Sequence, residues 1–117
     1  MSKFTIYHNP RCSKSRQTLA ILEEHNIQAE IVLYLENTPN KQKLQGLIQQ
    51  LGKKPRDILR KSEDTFKDNG LSDTSLSDDD LLEAMVAEPK LIERPIVVSG
   101  TKAVLGRPPE NVLELIK

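Results

Sequence analysis

Apolar residues change their period along this chain, and each change marks an element. Phe4, Thr5, Ile6 and Tyr7 alternate and then run into His8-Asn9-Pro10, the pattern of a short strand ending in a turn. After Cys12 the spacing becomes helical. Leu19 and Leu22 lie three apart with Ala20 beside them, Ser13 or Ser15 offers a cap, and Asn26 offers a stop. Residues 27–35 read as a second strand, with Ile31, Leu33 and Leu35 on one face and Val32 and Tyr34 on the other. Thr38-Pro39-Asn40 then breaks the chain.

The middle third is helical. Leu44, Leu47, Ile48 and Leu51 fall at i, i+3, i+4 and i+7 and end at Gly52. The basic stretch 53–61 reads as a helix opened by Pro55, with Ile58 and Leu59 turned inward. Residues 68–75 read as loop. Ser77 followed by Asp80 approximates a capping box, and Leu81, Leu82, Met85 and Val86 continue a helix that must stop before Pro89. The period then shortens to two. Pro95-Ile96-Val97-Val98 and Lys102-Ala103-Val104-Leu105 flank Ser99-Gly100-Thr101 as a hairpin, and Val112, Leu113 and Ile116 stripe a closing helix that starts near Pro109.

The order is therefore β-α-β, then helices, then β-β-α. A β-α-β start implies parallel strands joined by a right-handed crossover, and the hairpin adds antiparallel partners. This predicts an α/β, thioredoxin-like fold: a mixed four-stranded sheet with flanking helices and a helical insertion between strands 2 and 3. At 117 residues the chain reads as a single domain, 1–117.

Composition removes several functions. Lys+Arg and Asp+Glu number 17 each, so the formal charge is zero and no global field gathers a polyanion. With no Trp and only two Tyr and two Phe, stacking platforms for single-stranded nucleic acid are lacking; nucleic acid is not the expected partner. No apolar run approaches the roughly 20 residues that cross a bilayer, and the start does not read as a signal peptide. A cytoplasmic monomer is the expectation.

One cysteine excludes an internal disulfide and leaves a zinc ion without its usual thiolate company, so no metal is expected. Cys12 falls at the first turn of a helix, where free N–H groups and the positive end of the helix dipole favour a thiolate, and His8, Arg11, Lys14 and Arg16 crowd it with donors and charge. The same N–H groups suit a tetrahedral oxyanion. A lone cysteine is more often a small buried hydrophobe, but the neighbours Arg11 and Ser13 suit an accessible turn better than a core. A cysteine-phosphatase loop would need Arg where Thr18 stands, and a dithiol oxidoreductase would need Cys where Ser15 stands. An adduct on Cys12 must be resolved by an outside thiol.

The run from Tyr7 to Arg16, together with Arg60, Glu93-Arg94-Pro95-Ile96-Val97 and Gly106-Arg107-Pro108-Pro109, resembles the glutaredoxin-dependent arsenate reductases. The resemblance implies that Cys12 is the nucleophile, that His8 helps keep it ionised, and that Arg60, Arg94 and Arg107 hold arsenate, with Ser15 adding a hydroxyl to the oxyanion or to the helix start. It also implies a cis bond before Pro95. It implies no bound cofactor, glutathione as co-substrate and glutaredoxin as the protein that removes it, in an arsenic-detoxifying oxidoreductase with a redox-active cysteine. Established reductases of this kind carry Gly-Thr after the cysteine, where this chain has Ser13-Lys14. A branch of the fold regulates RNA polymerase, often through a cysteine pair that Ser15 removes here. The alternative from the same fold is a thiol-dependent redox or regulatory protein that does not reduce arsenate.

Overall fold

The computed structural model describes residues 4–61 and 63–116. They form two compact units, one from Met1–Asn37 with Arg94–Lys117, the other from Thr38–Glu93.

The first unit carries the sheet. Its strands are β1 (Phe4–His8), β2 (Glu30–Leu33), β3 (Ile96–Ser99) and β4 (Lys102–Leu105), in the order β2-β1-β3-β4. β1 runs parallel to β2 and antiparallel to β3, and β3 and β4 form the hairpin, with Gly100 at φ 62° in its turn. Helix α1 (Ser13–Glu24) makes the crossover between β1 and β2. Phe4 and Ile6 share one face of β1 and pack with Leu22, Val97 and Val112 into a buried cluster. His8 has the same parity, so it continues the face that α1 covers. The chain closes through a 3-10 turn at Pro109–Val112 and α5 (Leu113–Ile116). This is the thioredoxin-like layout.

Strand β2 is shorter than residues 27–35 because the chain folds back at its end, where Glu36 and Asn37 donate their N–H groups to Leu33 O at 2.9 and 2.8 Å. Ile31 and Leu35 are exposed while Tyr34 is buried, so the apolar face expected of Ile31, Leu33 and Leu35 is not a core face. Edge position explains it: β2 has a neighbour on one side only.

The second unit is the helical insertion. α2 (Lys41–Leu51) is capped by Asn40, whose Oδ1 accepts from Lys43 N, and ends at Gly52 in the left-handed region at φ 69°. α4 (Asp78–Ala87) opens with the Ser77/Asp80 capping box and stops before Pro89. Lys41 forms ion pairs with Asp79 and with Glu83, tying the starts of the two helices. The 53–61 helix is only a 3-10 turn, Pro55–Ile58, after which Leu59 bridges to Ile92. A short helix, α3 (Asp64–Asp68), arises where the sequence shows no apolar stripe; Phe66 alone anchors it.

Candidate active site

Cys12 is the N-cap of α1, with extended φ and ψ of −95° and 123°. Its carbonyl accepts from Arg16 N at 3.0 Å and its N–H donates to Asn9 O at 2.9 Å, so a tight turn delivers the sulfur to the helix start. The side chain is largely buried, 9% exposed. No side chain caps the helix. The N–H groups of Ser13, Lys14 and Ser15 thus lack intrahelical acceptors and keep their capacity for an anion.

The cap expected from Ser13 or Ser15 is absent because Ser15 points elsewhere. Ser15 is fully buried, and its Oγ accepts from Asn9 N at 3.0 Å while standing 2.6 Å from His8 Nδ1. One hydroxyl thus ties the amide of Asn9 to the imidazole of His8. Burial, and then the charge of Arg16, hold His8 below its ordinary 6.5. At neutral pH His8 is therefore a neutral imidazole. Positive charge around the turn comes from Arg11, Lys14 and Arg16. Arg16 also braces the loop by donating from Nη1 to Pro10 O at 2.9 Å.

Two further residues build this turn, neither of them assigned a role in the site from the sequence. Asn9 Oδ1 accepts from Arg11 N at 3.0 Å, an Asx turn whose signal is the Asn two residues before the amide it binds. Thr18, fully buried, donates to Lys14 O at 2.8 Å and lies 3.5 Å from Gly106 O. A Cβ on Gly106 would fall 2.5 Å from Thr18 Oγ1 and 2.8 Å from Pro95 Cγ, so only glycine lets the end of β4 approach α1.

That approach sets the arginines of this unit. The Arg94–Pro95 and Arg107–Pro108 bonds are both cis. Arg107 is exposed, and its Nη1 donates to Arg94 O at 3.3 Å. Arg94 is half-buried; its Nε and Nη1 are shielded from water and have no hydrogen-bond partner among the described residues. A shielded guanidinium without a partner is costly unless an anion completes it. Arg60 belongs to the helical unit, where its Nε stands 3.5 Å from Glu93 Oε1 and its Nη1 stands 3.8 Å from Glu63 Oε2. Among the described residues no group of His, Cys, Asp and Glu side chains could hold a metal ion, and no helix is long and apolar enough to cross a membrane.

A sequence model of the ArsC family matches residues 7–115, a span that contains every element of this site. The chain belongs to the ArsC family. It is 52% identical over 112 residues to the YfgD protein of Escherichia coli K12, covering 95% of this chain and 94% of that one. It is 46% identical over 112 residues to the arsenate reductase of Haemophilus influenzae, covering 95% and 97%. An arsenate reductase from Vibrio cholerae superposes with a TM-score of 0.94 at 51% identity, covering 97% of each chain. These ArsC relatives match the chain from the cysteine turn to the closing helix.

Proposed function

We propose that this chain is an arsenate reductase in which Cys12 is the nucleophile. One pairing carries the reading: a single unit holds the chain's only cysteine, at the start of α1, and Arg94, whose shielded Nε and Nη1 lack a partner. An oxyanion supplies what Arg94 lacks, and forked guanidinium donors suit its tetrahedral oxygens. Relatives named arsenate reductase at 40% and 46% identity support arsenate as that oxyanion.

In this mechanism Arg94 and Arg107 hold arsenate. The Cys12 sulfur attacks arsenic, a S–As bond forms, and one oxygen leaves as water. Neutral His8 is held in place by Ser15 through Nδ1. Glutathione then attacks the adduct. An S–S bond forms between Cys12 and glutathione, the S–As bond breaks, and its electron pair reduces As(V) to As(III), released as arsenite. The two thiols supply the two electrons, and arsenate gives arsenite and water. Glutaredoxin removes the glutathionyl group by thiol exchange and restores Cys12. No bound cofactor enters the cycle, and the glutathione pool it uses is that of the cytoplasm.

The test is an arsenate reduction assay coupled to glutathione and glutaredoxin. Turnover that vanishes in Cys12→Ser and needs both thiol components supports the reading. Absence of arsenite with the wild-type chain, while Cys12 still forms mixed disulfides, favours the thiol-dependent regulatory alternative.

A further inference from the structure

We propose that the cleft at the carboxyl ends of β1 and β2 binds glutathione, with Arg11 and Glu36 recognising its charged ends. The inference deepens the reading above, on which it rests for the thiol's identity.

β1 and β2 are parallel neighbours whose last rung pairs His8 with Leu33. Beyond that rung the two chains part: residues 8–11 turn toward Cys12, and residues 33–36 fold back on themselves. A cleft of about 250 Å³ opens between them, lined by residues 8–11 on one side and by Leu33, Leu35 and Glu36 on the other. Crevices outside the carboxyl ends of parallel strands are where open α/β sheets take their ligands.

The lining has both signs of charge, unspent. The side chains of Arg11 and Glu36 are exposed and make no ion pair or hydrogen bond among the described residues. Leu35, 40% exposed, gives the cleft an apolar wall. Arsenate does not match this lining: a small oxyanion has no use for a carboxylate or a leucine. A short zwitterionic peptide does. Glutathione carries carboxylates for Arg11, an ammonium for Glu36 and a central thiol-bearing methylene for the leucines. The cleft stops at Arg11, the residue before Cys12, so a thiol seated there enters beside the nucleophile's own segment.

S-methylglutathione, which cannot form a disulfide, is titrated into the full-length, isotopically labelled protein and followed by amide chemical shifts, without arsenate. Saturable shifts at Asn9, Arg11, Leu35 and Glu36 are expected, with binding weakened about tenfold or more by Arg11→Glu and severalfold by Glu36→Gln. Shifts confined to the Arg94 and Arg107 segment, equal binding by both variants, or no binding at millimolar ligand would overturn the proposal. Because arsenate is absent, the result is independent of the coupled assay. Turnover without cleft binding removes the cleft alone, and cleft binding without turnover removes the reductase reading alone.

Discussion

His8 Nδ1 and Ser15 Oγ lie 2.6 Å apart in a buried pair that joins the end of β1 to the first turn of α1. The hydroxyl serves two partners at once, the ring and the amide of Asn9. Ser15→Ala leaves both without a partner and is expected to cost about 2 kcal/mol. Urea unfolding measures it; a loss under about 0.5 kcal/mol would contradict this account.

The same pair sets a pH dependence. His8 has its folded pKa lowered from the ordinary 6.5 by burial and by Arg16, so the unfolded chain takes up the proton more readily. Its stabilising share is complete above 6.5 and is lost as pH falls through the folded value. Stability should therefore drop as pH falls below about 6.5, and His8→Asn should flatten that limb. Urea midpoints for both proteins across this range check the sign.

Gly106 and Thr18 should behave as one unit. Gly106→Ala places a methyl against Thr18 Oγ1 and Pro95, and is expected to destabilise by about 2 kcal/mol or more. Thr18→Ala removes one of those obstacles, so the double variant should lose less than the two single losses added. Strict additivity in a double-mutant cycle would show that the two positions do not press on each other.

Arg94 sets stability against binding. Because its shielded nitrogens lack partners, Arg94→Met should fold at least as stably as the wild type while losing the ability to be stabilised by arsenate. Thermal unfolding with and without arsenate separates the two effects. A wild-type midpoint that does not rise with arsenate counts against Arg94 as an oxyanion ligand.

Burial rather than hydrophobicity decides the remaining cost. Leu22, fully buried under the sheet, should lose about 2–5 kcal/mol on truncation to Ala, whereas Ile31→Ser on the exposed edge strand should stay within about 0.5 kcal/mol. Equal losses at the two positions would be the contrary result.

The hydrophobic pattern by itself determined the order of the four strands and of the longer helices α1, α2 and α4. Periods of two and 3.6 mark which face of a segment seeks a core, and Asn40, Gly52, Ser77 with Asp80, and Gly100 act on backbone groups within a few residues of themselves. Cys12 at a helix start was legible for the same local reason. Short-range logic failed where distant chain supplied the partner. The 53–61 segment gave up its helix to the bridge between Leu59 and Ile92, and β2 exposed Ile31 because it lies at the sheet edge. Tertiary structure alone decided that Ser15 serves His8 instead of capping α1, that burial keeps His8 neutral, that Gly106 must carry no Cβ, and that Arg94 is shielded without a partner. Each of these depends on which atoms the fold brings within a few ångströms and which it screens from water, and residues far apart in sequence do not record that in their spacing.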